Sequence, residues 1–435
     1  MKTYLLFLLL TITSFSTQAQ FWEEKDSDFP TESTGISRFD IVDENIAWGI
    51  GYNGINPDNN IQQFSKTIDA GLTWTAGTIS VGNVGLGIGD IAAIDDQIAY
   101  IAVYPRNANQ QGGIWKTEDG GSTWNKITST AYTSASSFIN IVHFNNNNDG
   151  VAMGDPINNE WEIYTTSDAG ATFNRIAAAN IPSPQNGETG YLAQKATAGN
   201  SIWFTTNKGR VFHSTNLGFN WNVYQSPVSD FGGETVSADI SFSDANKGIL
   251  QTQSGVLYST LNAGQTWSQI TLNGSGNPYG DNIAYIPNSS NIVSVGSNPD
   301  FAGSSYSVDD GVTWTNIDTK QHVDVSFFDS VTGYSGGFTS NAGNTGVFKY
   351  AAEVLTVDNF AFAKAISLYP NPTSDLVNIS STGTIARLEL INLSGQQIKV
   401  FEPLTVISLK ELPAGMYLIK ITTDQGVETL PIIKN

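Results

Sequence analysis

Four acids, Asp155, Glu188, Asp230 and Glu234, fall in polar stretches that carry glycine or proline: "GDPINNEW", "NIPSPQNGETGY" and "SPVSDFGGETVS". Two carboxylates flanking a glycosidic bond are what its hydrolysis requires, one as acid and the other as base or nucleophile. Tyr104 and Arg106 in "YPRNANQQGG", Tyr279 in "GSGNPYGDN", and Lys320 and His322 in "DTKQH" add cations and ring faces of the kind that hold a sugar or a peptide. These nine residues are the candidate ligand-binding set. The four acids are the candidates for a hydrolase, and no catalytic residue is assigned. Arg38 and Arg210 could approach the same surface as Arg106.

Other chemistries find little support. No cysteine is present, so zinc, iron-sulfur and thiol chemistry lose their usual thiolate ligands. The run "NNNNDG" (Asn145 to Gly150) begins like a calcium loop. It carries Pro156 where the twelfth-position Glu belongs, and it aligns with plain turns such as "SDANKG". The glycines of "GNVGLGIG" lack the dinucleotide spacing. His143 and His213 read as strand residues, and His322 as a surface loop residue. No metal and no cofactor is expected.

A second set of acids belongs to a repeat. Six stretches share Ser/Thr, any residue, Asp/Asn, any residue, Gly, any residue, Thr, Trp, with small departures. They are "TIDAGLTW" (Asp69, Gly71, Trp74), "TEDGGSTW" (Asp119, Gly121, Trp124), "TSDAGATF" (Asp168, Gly170, Phe173), "STNLGFNW" (Asn216, Gly218, Trp221), "TLNAGQTW" (Asn262, Gly264, Trp267) and "SVDDGVTW" (Asp309, Gly311, Trp314). Their aromatic ends are spaced 50, 49, 48, 46 and 47 residues apart. Such a period marks a repeat architecture. Each motif lies between two strand-like runs, so it reads as a hairpin turn closed by Asp and Ser/Thr, with Gly at a special backbone angle and Trp packed over it. Asn at two of the six acid positions suits a turn and not an acid catalyst.

Upstream of each motif lies a strand, a polar turn and a strand, as in "FDIVDENIAWGIG" and "ISFSDANKGILQT". Each period therefore holds four strands. Residues 21–353 make room for seven periods of about 48, yet there are six motifs. The last period stops after "TGVFKY", and "FWEEK" (Phe21 to Lys25) resembles the strand that follows each Trp. An N-terminal strand completing the last repeat would leave no open edge. Hairpins alternate in direction, so the motifs share one face and the candidate loops lie on the opposite face.

Composition agrees with an all-β chain. Of 435 residues 42 are Gly, and 14% are charged against a usual ~25%. The net charge of −20 argues against nucleic acid or an anionic membrane as partner. Residues 1–19, with Lys2 and an apolar run from Tyr4 to Ile12, read as a secretory signal peptide too short to remain as a span. No other segment is apolar enough for a transmembrane helix.

The six motifs resemble Asp-boxes. The chain is similar to the Asp-box (BNR-type) β-propellers, a group that includes sialidases, xyloglucanases, sortilin-type receptors and photosystem II assembly-factor-like propellers. The resemblance implies an all-β fold: a seven-bladed propeller of four-stranded antiparallel blades over residues 20–352. It implies function weakly, since the staple serves hydrolases, receptors and assembly factors alike. Sialidases grip a carboxylate with three arginines and use a tyrosine nucleophile, and their Phe/Tyr-Arg-Ile-Pro signature is missing here. Xyloglucanases place their acids between two propellers, and this chain has one.

The tail carries a second resemblance. "ISLYPNPTSDLVNI", "LELINLSGQQI", "ISLKELPAGMYLIKI" and "PIIKN" are similar, in order, to the type A C-terminal sorting domain of the type IX secretion system of Bacteroidetes. This implies a small β-sandwich over 366–435 that engages the type IX machinery, behind a linker at 353–365, with the cargo released or attached to the cell surface. The sequence-based expectation is a secreted propeller that binds or scaffolds a glycan or protein ligand. The alternative is a carbohydrate-active hydrolase.

Overall fold

A computed structural model describes residues 20–435 apart from 57–58, 128–130, 235, 342, 352–365, 382–383, 393–396, 403–404 and 424–425. The expected signal peptide at 1–19 and the expected linker at 353–365 lie outside the described residues. The chain divides into two compact units, 1–355 and 356–435.

In the first unit, seven four-stranded antiparallel blades are formed by the described residues. Blade 1 runs Thr34–Ile41, Ala47–Asn53, Gln63–Thr67 and Thr75–Thr78. Blades 2 to 6 repeat that order, starting from the inner strands Leu86–Ala93, Ile139–Phe144, Gly190–Ala198, Ala238–Phe242 and Asn282–Tyr285. Blade 7 takes Asp324–Phe327, Gly333–Asn341 and Asn344–Tyr350 from the end of the unit, and its outer strand from the beginning, Trp22–Asp26. Trp22 pairs with Tyr350 and Asp26 with Gly346, so the ring is closed by an antiparallel clasp between sequence-distant strands. Strand edges left bare invite pairing with other chains, and the clasp covers this one.

Apolar clusters sit between blades. Trp48, Ile50 and Phe64 of blade 1 pack with Ile91, Ile101, Trp115 and Trp124 of blade 2, and the same arrangement recurs around the ring. The clasp has its own cluster, in which Phe21 and Trp22 meet Val293, Val295, Phe348 and Tyr350. Each inner strand thus buries one neighbour-facing surface and leaves certain positions to face the axis.

The second unit has two facing sheets. One holds Ile366–Tyr369, Leu376–Ser381 and Val406–Ser408, and the other holds Gln397–Phe401, Ile385–Ile391, Gly415–Thr423 and Gly426–Lys434. Val377, Ile379, Leu388, Leu390, Ile407, Ile419, Ile421 and Ile432 fill the space between them, as alternation on both sheets requires.

Candidate binding surfaces of the ring

The six motifs are hairpin turns between third and fourth strands, with nearly identical bonding. In the first, the Thr67 hydroxyl donates to Asp69 (2.8 Å) and accepts from the Gly71 N–H (2.9 Å). Asp69 accepts from the N–H and the hydroxyl of Thr73 (2.9 and 2.6 Å). At Asn262 the carbonyl oxygen keeps the backbone bond to Thr266 (3.0 Å), while its amide donates to the Thr266 hydroxyl (2.9 Å). The reversed polarity explains why Asn serves there. These bonds hold the carboxyls of Asp69, Asp119, Asp168 and Asp309 below their ordinary range. For Asp69 and Asp309 burial is the largest single influence and opposes the bonds, which together outweigh it.

The glycine is required twice over. Gly71 has φ +74° and Gly121 φ +92°, and a Cβ would lie 2.4 Å from Tyr334 of blade 7 or 2.3 Å from Phe64 of blade 1. The staple is therefore a blade-to-blade contact as well as a turn. Its residue before Gly donates a backbone N–H to the first hairpin of the same blade: Ala70 to Asn45 (3.0 Å), Ala169 to Asn148 (3.1 Å), Ala263 to Asn246 (2.8 Å). Both turns share one face.

The nine candidate residues come from loops and strand ends at the other face, and the structure treats them unequally. Asp155 lies near the end of a strand of blade 3, Gly150–Ile157, accepts from the Asn140 amide (2.7 Å) and the Gly190 N–H (3.0 Å), and is pushed up to about 6 by burial. Next to Gly190, the Tyr191 hydroxyl donates to Asp230 at 2.5 Å, so Asp155 and Asp230 lie on either side of one short segment. Burial and Asp230 raise the Tyr191 hydroxyl above its ordinary range. Tyr191 is a residue that sequence reasoning passed over. Glu188 is not loop surface: it is 3% exposed, bonded to Arg210 (2.9 Å) and to the Thr206 hydroxyl (2.7 Å). Glu234 is exposed.

Tyr104 packs against Phe138 at 5.4 Å, and Arg106 borders a hollow of about 260 Å³ beside the same Phe138. Tyr279 is 4% exposed, its ring tilted against that of Phe301 at 4.9 Å, and its bulk supports the fold. Lys320 pairs with Glu24 of the clasp (2.5 Å). His322, expected on the surface, is fully buried: Nδ1 lies 2.8 Å from Ser335 Oγ, Nε2 3.1 Å from Asp318, and the ring packs on Phe348. The loop sequence "DTKQH" is polar, but its last residue turns inward to reach two polar partners.

The feature that sequence reasoning missed is the axis. Three positions before the last residue of each inner strand stand Arg38, Asp90, Ile141, Lys195, Asp239, Asn282 and Asp324. Apart from Ile141, these line a cavity of about 800 Å³ bordered also by Asn145, Asn146, Asp244 and Asn288 of the first hairpins, which places its mouth on the staple face. Arg38 bonds Asp324 (3.0 Å), and Lys195 reaches across to Asp90. Asp40 and His143 occupy one equivalent position nearer the mouth. Asp40 accepts from the Ala93 N–H (2.5 Å), and Asp239 from the N–H groups of Ile240 (2.9 Å) and Ile283 (3.4 Å). Burial pushes both carboxyls up to about 6, and burial together with Lys195 lowers His143 to about 3. Among the described residues no group of three or more His, Asp or Glu could hold a metal ion.

A closed seven-bladed ring followed by a two-sheet sandwich defines the class: a β-propeller with a separate β-sandwich tail. Residues 367–435 match the family model of the secretion system C-terminal sorting domain, the type IX tail that marks proteins sent to the cell surface or the extracellular space. A stretch of 131 residues is 31% identical to the chloroplastic photosystem II stability/assembly factor HCF136 of Arabidopsis thaliana; it spans 29% of this chain and 30% of that relative's length. The structure is similar to YCF48 bound to D1 peptide (TM-score 0.52, 15% identity, 76% of this chain and 97% of that chain). It is also similar to YCF48 from Cyanidioschyzon merolae (TM-score 0.51, 16% identity, 76% and 98%). At these identities the likeness is one of fold. No helix among the described residues is long and apolar enough to cross a membrane.

Proposed function

We propose that the protein is a binding or scaffold module displayed at the cell surface or released outside it, whose ligand, a peptide or a glycan, is held by the loops opposite the staples. The observation that carries this reading is the anchoring of those loops. Asp155 is fixed by Asn140 and Gly190, Asp230 by Tyr191, and Glu188 by Arg210, so the loop surface is preorganised on a stapled ring. A propeller of similar fold was solved with a peptide bound, which makes an extended peptide the first ligand class to test. The type IX machinery is the partner of the tail, and residues 20–352 and 366–435 are the working division between cargo and address.

One observation favours the second reading, hydrolysis of a glycan. Tyr191 hydrogen-bonded to Asp230, with Asp155 held protonated up to about pH 6 on the other side, resembles a nucleophile, its base and a general acid. Peptide and glycan arrays, each followed by a turnover assay on the bound members, separate the two. Retention without cleavage, weakened by Arg106→Ala and Glu234→Ala, supports the binding module. Cleavage that Tyr191→Phe abolishes would replace it with the hydrolase.

A further inference from the structure

We propose that Asn186 is a site of spontaneous covalent modification: its side-chain amide is lost through a cyclic imide with Gly187, and the product loosens the loop that the buried Glu188 anchors. The reaction consumes only water, and the inference holds whether or not the loop face binds a ligand.

Asparagine is a chemically labile side chain, most of all before glycine, whose nitrogen no side chain shields and whose backbone turns freely. The chain has three such pairs, Asn53-Gly54, Asn186-Gly187 and Asn273-Gly274. The fold separates them. At the first, both reacting groups are engaged. The Gly54 N–H donates to the Ser33 carbonyl (2.8 Å), and the Asn53 side-chain oxygen accepts from the N–H groups of Ile55 (3.0 Å) and Asn56 (2.9 Å). At the third, Asn273 is exposed, but its N–H donates to the Val312 carbonyl (2.8 Å) and it bridges to Thr313, which pins its backbone to the staple of blade 6.

At the second pair the reacting groups are free. Asn186 and Gly187 are both exposed, and neither the Asn186 amide nor the Gly187 N–H has a partner among the described residues. Gly187 stands at φ +68°, with no atom within 4 Å of where a Cβ would be. The two residues form the corner of a turn that is held only at its ends: the Glu188 N–H donates to the Gln185 carbonyl (3.0 Å), and the Gln185 N–H donates to Glu188 Oε2 (2.7 Å).

The Gly187 nitrogen attacks Asn186 Cγ. A C–N bond forms, the Cγ–Nδ2 bond breaks, and ammonia leaves with the proton given up by the Gly187 nitrogen. Water then opens the imide at either carbonyl, giving aspartate where the original chain is restored and isoaspartate where the chain now runs through Cβ and Cγ. Both products carry a new carboxylate, and isoaspartate also lengthens the main chain by a methylene. The turn has no slack for this. Glu188 is 3% exposed and holds Arg210 (2.9 Å) and the Thr206 hydroxyl (2.7 Å), while Arg210 donates to the Ser183 carbonyl (3.1 Å). A longer corner separates Gln185 from Glu188, and the new charge opposes that of Glu188, so the whole segment 183–188 loses its anchor.

The chain from residue 20 to 435 is aged at pH 8.5 and 37 °C in oxygen-18 water, folded or in guanidinium chloride, and followed by peptide mapping with mass spectrometry. In the folded chain Asn186 is expected to convert tenfold or more faster than Asn53, with Asn273 between them, and each converted side chain should gain one oxygen-18. In denaturant the three rates should become alike. Aged wild type should exchange backbone hydrogens over 183–190 at least threefold faster than fresh protein. Asn186→Gln, which would need a larger ring, should resist both changes. Should that variant fold poorly, the wild-type rate order and oxygen label still decide. Conversion at Asn186 no faster than at Asn53 or Asn273, conversion without oxygen-18, or unchanged exchange over 183–190 in the aged protein overturns the proposal.

Discussion

The indole N–H of Trp22, on the clasp strand, donates to the Ser304 hydroxyl of blade 6 at 3.0 Å, across 282 residues of sequence. Ser304 donates on to Asp318 (3.1 Å), which lies beside His322 (3.1 Å), which lies beside Ser335 (2.8 Å). The clasp is thus tied into blades 6 and 7 by a partly buried polar chain as well as by strand pairing.

Trp22→Ala removes a side chain that is 4% exposed together with the first donor of that chain, and should destabilise the ring by about 3–5 kcal/mol. Glu23→Ala, on the exposed side of the same strand, should change stability by less than about 0.5 kcal/mol. Denaturant melts of the two variants check this; equal effects would mean that the clasp acts through backbone pairing alone.

The staples should behave as turn closures. Asp309→Ala loses bonds to the N–H and hydroxyl of Thr313 and to the Ser307 hydroxyl, a loss on the order of 0.5–2 kcal/mol. Asp309→Asn should recover most of it, because Asn262 makes the equivalent contacts naturally. Thermal melts distinguish them, and ligand retention by the folded protein should be unchanged in both. Loss of binding in a folded Asp309→Asn would move the site to the staples.

Asp155 should couple stability to pH with a definite sign. Its folded value near 6 lies above the ordinary 3.8, so between these pH values the folded chain holds a proton that the unfolded chain has lost. Stability from this group is therefore greatest at low pH and falls as pH rises through that window. Asp155→Asn lacks the effect and should gain on the wild type by about 1–2 kcal/mol between pH 4 and pH 7, after allowance for partial solvation. Urea unfolding of both proteins at pH 4.5 and 7.5 tests it, and parallel pH curves would show an ordinary carboxyl.

Removal of 366–435 should leave a folded propeller in the periplasm, since the tail has its own core and matches the sorting domain. Fractionation of cells expressing the truncated chain measures this. Normal surface display would show that the tail is dispensable for export.

Much of the ring was legible because turn chemistry is local. Thr67, Asp69, Gly71 and Trp74 lie within eight residues, and their six recurrences revealed blade number, strand order and even the clasp at Phe21 to Lys25. The axial cavity was not legible in the same way. Arg38 and Asp324 are 286 residues apart, and each reads singly as the polar side of a strand. Only closure of the sheet set turns those positions inward together. A faint signal did exist: aligning the inner strands puts a polar residue at one fixed position in six of seven blades. His322 and Tyr279 show the converse, polar or turn-rich loops whose side chains fold back into the ring.

The clasp has one more consequence. The Phe21 carbonyl accepts from the Ala351 N–H at 2.9 Å, so the start and finish of the propeller are neighbours in space. Such a ring has no preferred origin. A circular permutant that joins these neighbours through a short linker and opens instead in the exposed loop around Asn107 to Asn109 would convert the clasp into an ordinary hairpin, while a simple fragment cut at that loop could not close at all. Cooperative melting of the permutant beside an unfolded fragment is the expected contrast, and it would show that the order of blades in space, rather than their order along the chain, defines the molecule.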